Sequence, residues 1–216
     1  MEHVDDSKFR EVLRRFERWR TISAALGQKP YDAPDFENGR LYFRSDYAEQ
    51  VSKWPPAREQ GDWGAYIIEP SPSGLFRVIR SLWHERAPQR TESLEAVFSR
   101  AEDAGKYVIA KIGVSLRGSV QTKLPLLYQI WDNRSLQPVI DKTSPPADLL
   151  QEVIESMPGA NPENIRAYLE KYALHATPEV YAATFPSNSP YMHVLALSFD
   201  QLDAELEDGL PATRTS

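Results

Sequence analysis

Residues 102–117, EDAGKYVIAKIGVSLR, admit two readings, and the choice between them sets the fold. The glycines and lysines of GKYVIAKIG suggest a phosphate-cradling loop. The apolar residues suggest a buried helix. The loop reading fails on detail: neither GxxxxGK[ST] nor GxGxxG is present, and no strand–glycine loop–helix order surrounds the glycines. The helix reading extends upstream. Leu94, Val97, Phe98, Ala101, Val108, Ile112 and Leu116 keep three- and four-residue spacing, with Gly105 and Gly113 near the same stripe. Each glycine costs a helix about 1 kcal/mol relative to alanine, so glycines on a buried stripe point to close backbone approach, here to a sheet. The spacing predicts one long helix over 93–117, capped by Thr91 or Ser93, with Gly105 as the place for a kink.

Just upstream lies the clearest strand signal. GDWGAYIIEP (61–70) and LFRVIRSLWH (75–84), joined by SPSG, read as a hairpin. Trp63, Ala65 and Ile67 alternate with Tyr66 and Ile68, apolar on both faces, as in a central strand. Arg77 and Ile79 alternate with Phe76 and Val78 in a more exposed one. LYFRS (41–45) reads as a short strand after a loop over 28–40 that holds Pro30, Pro34 and Asn38-Gly39. Further upstream, Phe9, Val12, Leu13, Phe16, Trp19, Ile22 and Leu26 form the stripe of a helix over 7–26, with Asp6 as N-cap and Gly27 as stop. Arg14, Arg15 and Arg18 fall on its opposite face.

Downstream, LLYQIW (126–131) fits a short helix or a strand. Ser144 with Pro145 opens a helix carrying Leu149, Leu150, Val153, Ile154 and Met157, ended by Pro158-Gly159. Asn161 with Pro162 opens another, carrying Ile165, Leu169 and Tyr172, and the two read as a helical hairpin. YMHVLAL (191–197) suggests a late strand. Ser198 and Gln201 then form a capping box for a short acidic helix, and the last seven residues read as a frayed end.

Composition narrows the function class. The 216 residues suffice for one domain with a real core, and no apolar run approaches the roughly 18 residues of a membrane span. The N-terminus lacks the basic-then-apolar pattern of an export signal, and there is no cysteine, so a cytoplasmic location is expected. Charge is uneven. Residues 1–120 hold 19 Lys+Arg against 18 Asp+Glu, whereas residues 121–216 hold 6 against 13. An acidic C-terminal half disfavours nucleic acid and favours a partner that is basic at the contact.

No catalytic constellation stands out. The four histidines, His3, His84, His175 and His193, have no HxxxH or HxH spacing, so no metal and no cofactor are expected. GxSxG and SxxK are absent. The carboxylate pairs Glu102-Asp103 and Asp200…Asp203 read as solvated helix surface rather than as acid–base pairs. Exposed Trp and Tyr are frequent interface hot spots. Trp54, beside Pro55-Pro56, and Trp83 with His84, at the end of a predicted strand, are the aromatic candidates. Asp200 and Asp203 of the acidic helix are the charged ones.

The aromatic hairpin DWGAYIIEP…LFRVIRSLW, the polar turn with Glu85 and Arg86, and the pattern AGKYVIAKIGVSLR ending at Arg117 together resemble an immunity-protein family of bacterial polymorphic toxin systems. It is the family that includes the antitoxin of the mycobacterial NAD-glycohydrolase necrotizing toxin. The resemblance covers roughly residues 60–120. It implies an inhibitor rather than an enzyme, a protein that binds a cognate toxin in the producing cell's cytosol and occludes its active site.

The expected fold is therefore α+β: an antiparallel sheet, a long helix packed across it, and a C-terminal helical hairpin. As one domain, residues 1–60 supply a helix and a Pro-rich arm, 61–142 the hairpin and long-helix core, and 143–216 the helical hairpin, a strand and the acidic tail. The competing expectations are a small-molecule-binding or enzymatic domain with a pocket between hairpin and long helix, where His84, Tyr107 and Arg117 would be the polar groups, and a scaffold acting through its acidic helices.

Overall fold

One antiparallel sheet of eight strands, in the order β1-β2-β3-β4-β5-β8-β7-β6, organises the described residues of the computed structural model, which are 6–55, 64–84, 89–120 and 127–211. The strands are β1 (Asp35–Glu37), β2 (Arg40–Ser45), β3 (Gly64–Pro70), β4 (Phe76–His84), β5 (Gln89–Phe98), β6 (Ile140–Thr143), β7 (Glu170–Leu174) and β8 (Thr177–Thr184). The helices are α1 (Arg10–Ala25), α2 (Tyr47–Lys53), α3 (Ala101–Val120), α4 (Leu127–Asn133), α5 (Ala147–Ser156), α6 (Pro162–Tyr168) and α7 (Phe199–Glu207). A 3-10 segment spans Pro186–Ala196. The expected α+β architecture is present: α3 packs on the sheet, and α5 and α6 form the paired C-terminal helices.

Turn chemistry sets the meander. Asn38 and Gly39 both have positive φ, 52° and 79°, the geometry of a tight two-residue hairpin turn, and join β1 to β2. The SPSG turn closes the expected hairpin of β3 and β4, with the Ser71 amide donating to the Leu75 carbonyl.

The expected helix over 93–117 is corrected in its first third. Residues 93–98 belong to β5, Thr91 and Ser93 are strand residues rather than caps, and α3 begins at Ala101. The C-terminal half of β5 is bonded on one edge to β4 and on the other to β8, through Ala96↔Thr184, Val97↔Ala183 and Phe98↔Ala182. Helices cover both of its faces, so Ala96, Val97 and Phe98 are all buried. A strand buried on both sides reads as a continuous apolar run, which short windows cannot separate from a helix. Register across β4–β5 skips Glu95, a bulge that turns its side chain toward α3.

Three further expectations are corrected. YMHVLAL is a 3-10 segment through Ala196, not a strand; Tyr191 to Leu195 are buried in succession rather than alternately. Tyr172 lies in β7, because α6 ends at Tyr168. The α5 helix starts at Ala147 with Pro146 in the cap position, so Ser144 does not cap it. At the N-terminus, a 3-10 turn over Asp6–Phe9 precedes α1, whose cap position is held by Phe9. Asn161 caps α6, and Ser198 and Gln201 form the expected capping box on α7. Trp63, Glu85, Arg86, Leu124–Leu126 and the last five residues lie outside the described residues.

The main core lies on one face of the sheet, where α1, α3, α4, α7 and the 3-10 segment gather. A smaller core under α5 and α6 covers the other face around Val97 and Ala183. Asp103 to Ala110 are buried in succession, so this stretch of α3 is enclosed around its whole circumference, whereas Ser115 and Ser119 further along are exposed. Its glycines do permit close approach, but to helices rather than to the sheet. A Cβ on Gly105 would lie 2.2 Å from a Val12 methyl of α1, and one on Gly113 would lie 2.8 Å from Leu206 of α7. Replacing a helix glycine by alanine ordinarily gains about 1 kcal/mol. Here Gly105→Ala is expected to lower stability by about 1–3 kcal/mol through overpacking, with a smaller penalty in a Val12→Ala background; urea unfolding of the four-member cycle checks both.

Candidate partner-binding surface

The acidic helix is tied into the chain itself. Asp203 is only 4% exposed; it accepts from the Trp19 indole N–H at 2.8 Å and pairs with Arg15 at 2.6 Å and Arg18 at 3.2 Å. Arg18 also pairs with Glu207, and Arg15 with Asp200. Burial works against the Arg15 charge, yet the carboxylates of Glu11, Asp200 and Asp203 hold its pKa above the ordinary range. The expectation that Asp203 lies on a solvated surface is thereby corrected. The Asp200 side chain remains 84% exposed. Arg15 and Arg18 of α1 and the acids Asp200, Asp203 and Glu207 of α7, read apart in the sequence, neutralise one another.

Trp54, Trp83 and His84 belong instead to one end of the sheet. Ser45, Gly64, Leu82 and Thr91 form a row across β2 to β5, where β2 and β4 leave and β3 and β5 enter. From the end of β2, α2 leads to Trp54, which is 50% exposed. Beyond the row, the β4–β5 pair continues through Trp83↔Arg90 and His84↔Gln89. Successive residues point to opposite faces, so Trp83 and His84 diverge. Trp83 is half-buried with the Arg90 guanidinium 5.9 Å from its ring centroid, whereas exposed His84 hydrogen-bonds the Thr91 hydroxyl at 2.9 Å. Leu82, 37% exposed, joins them and was missed by sequence reasoning. The other large exposed apolar side chains among the described residues, Val139 and Tyr168, sit before β6 and at the end of α6.

On the helix-covered side, this sheet end leads into a polar aromatic cluster. Glu95 pairs with Lys111 at 2.7 Å and accepts from the Tyr107 hydroxyl at 2.8 Å. Lys111 also donates to Asn188 and lies 4.2 Å from the Tyr191 ring centroid. Burial pushes the Tyr191 hydroxyl up to about 12 and pulls the Lys111 ammonium below its ordinary value, with Glu95 opposing the latter. Tyr66 and Arg80 are directly paired across β3 and β4, with the guanidinium 4.5 Å from the Tyr66 ring centroid.

Two of the three polar groups of the alternative pocket reading are engaged within the fold. Tyr107 is fully buried, and Arg117 is buried and donates to the Leu206 carbonyl at 2.9 Å, closing the C-terminus of α7. A cavity of ≈ 80 Å³ lies between α1 and α3 beside Trp19, Tyr31 and Ser115. A charged one of ≈ 330 Å³ lies on the other face, lined by Arg40, Glu69, Arg77 and Glu92. Neither takes in His84, Tyr107 or Arg117. The described histidines stand apart: His175 pairs with Asp141 at 3.0 Å, and buried His193 stacks on Trp131. Among the described residues no group of His, Asp and Glu could hold a metal ion, and no helix is long and apolar enough to cross a membrane.

No protein-family model matches the chain, and no curated protein matches it. Among solved structures, it is similar to Rv3902c from M. tuberculosis, with a TM-score of 0.51 and 14% identity over 88% of this chain and 87% of that one. At this identity the likeness is one of fold, extending along nearly the whole of both chains.

Two stability predictions follow from these contacts. Asp203→Ala strands Arg15 and the Trp19 N–H and is expected to cost about 3–5 kcal/mol, whereas Asp200→Ala changes stability by less than about 1 kcal/mol; urea unfolding separates them. Burial holds the His193 pKa below its ordinary 6.5, so the folded state favours the neutral ring. Its contribution is complete above that pH and is lost as pH falls through and below it. The drop in unfolding free energy between about pH 7 and pH 5 should accordingly be smaller in His193→Gln than in the wild type.

Proposed function

We propose that the chain is an immunity protein: it binds a cognate secreted toxin and occludes its active site, with an NAD-degrading glycohydrolase as the toxin class. The observation carrying this reading is the sheet end with Trp54 and Leu82 in solvent. Leu82 is held in a strand paired on both edges, so little conformational freedom is lost when a partner covers it, and Trp54 adds a large side chain from the β2–β3 connection. The resemblance to the immunity family supports it, because the hairpin and the AGKYVIAKIGVSLR pattern on which it rests are β3–β4 and α3, which pack on one another. The fold shared with a mycobacterial protein adds the architecture and nothing about activity.

This reading places the contact at the sheet end rather than on α7, because Asp203 and Glu207 are already paired with arginines of α1. Asp200 is also paired with Arg15, but its side chain stays 84% exposed, which makes it the acid of that helix most open to a basic partner.

Coexpression with the toxin encoded beside this gene tests the reading. The two chains are expected to copurify and growth to be restored. Trp54→Ala should leave unfolding free energy within about 0.5 kcal/mol of wild type, since the side chain is half in solvent, while weakening the complex about 30-fold. Absence of both copurification and growth rescue would refute the reading.

A further inference from the structure

We infer that Arg80 is the anchor for a carboxylate side chain, an Asp or Glu, presented by the protein partner; the inference rests on the immunity reading and specifies its contact. Every other described arginine that is withdrawn from solvent has an acceptor. Arg15 has Asp203, Arg40 has Glu69 and Glu92, Arg44 has Asp35 and Glu37, Arg77 has Glu69, and Arg117 has the carbonyls that end α7. Arg44, Arg77 and Arg117 each keep a buried Nε that makes no hydrogen bond, but half-buried Arg80 has no acceptor for its guanidinium among the described residues, and its Nη1 is buried. The nearby acid, Glu95, is taken by Lys111 and Tyr107.

The guanidinium is nevertheless held in place. Its plane lies by the Tyr66 ring, and Gly64 leaves the space it occupies: a Cβ there would come within 3.2 Å of Nη2. Its charge reaches Tyr31, whose hydroxyl is raised by burial and lowered in part by Arg80. A fixed, partly desolvated guanidinium with no counter-ion among the described residues favours a planar anion, which Nε and Nη2 can meet with two hydrogen bonds while Nη1 stays closed to solvent. Leu82, two residues along the same strand and on the same face, supplies the apolar neighbour that excludes water from such a pair. Charge complementarity therefore selects an acidic residue of the partner at this point. It differs from the basic contact that composition suggested, and two of the acids behind that expectation, Asp203 and Glu207, are engaged within the chain.

Binding of the toxin to wild type, Arg80→Ala, Arg80→Lys and the exposed control Arg10→Ala, measured by titration calorimetry on full chains, tests the inference. Arg80→Ala should weaken binding by about 30-fold or more, Arg80→Lys by about 10-fold because the fork is lost, and Arg10→Ala by less than about threefold. Melting temperatures of the free variants control for folding, and Arg80→Gln replaces Arg80→Ala if that variant unfolds. Toxin variants selected to rebind Arg80→Glu should exchange one Asp or Glu for Lys or Arg. Recovery through apolar replacements alone would overturn the carboxylate assignment. So would an Arg80→Ala complex within about threefold of wild type, which leaves the immunity reading standing. A wild-type chain that does not bind the toxin removes both.

Discussion

A stretch of helix buried around its whole circumference, as Asp103 to Ala110 of α3 is, needs a partner on every side, and it sets this requirement for the rest of the chain. The sheet provides one wall, with Phe98 packed on Tyr107. The α1 helix provides a second and α7 a third, each drawn close where a glycine replaces a side chain. Polar groups within this layer are paired rather than omitted. Asp103, fully buried, holds Lys106 at 2.7 Å, and Lys106 donates to the Leu197 carbonyl, tying α3 to the strand of chain that enters α7. The Arg15–Asp203–Trp19 contact and the Arg117 bonds to the end of α7 close the assembly from the other side. Removing one member of such buried sets leaves its partner unpaired, so they fix where the C-terminal helix sits.

What local pattern could and could not convey follows from range. The β3–β4 hairpin, the α1 stripe, the Asn161 cap and the Ser198–Gln201 box depend on neighbours within a few residues, and each is present. β7 and β8 were hidden because they carry Ala173, Ala182 and Ala183, poor strand formers whose small size suits the crowded middle of the sheet. The helical spacing of Leu94, Val97 and Phe98 is real but arises from a strand covered on two faces and interrupted by a bulge at Glu95. Arg15 and Asp203 stand 188 residues apart, beyond any local pattern, so charge that reads as surface is spent inside.

The same logic separates the site residues. Trp54, Trp83 and His84 stood out because they flank prolines or close a strand, and the sheet brings all three to one end. Strand alternation puts Arg77 and Arg80 on opposite faces but gives no sign of what either one meets. Only the three-dimensional arrangement shows that Arg77 meets Glu69 while Arg80 meets a tyrosine ring. Helices α1, α3 and α7 fill the space over one region of the sheet, and among the described residues the opposite end of β3–β5 presents Leu82 and His84 outward. The proposed reading puts stability in the helical layer and recognition at this sheet end, with different charges used in each.

Hydrogen–deuterium exchange of the chain, alone and with the coexpressed toxin, tests that division most directly. Slowed exchange on binding is predicted at residues 64–66, 80–84 and 89–91 and around Trp54, with α7 unchanged. Protection confined to α7 and the α5–α6 pair, with the sheet end unaffected, would contradict it.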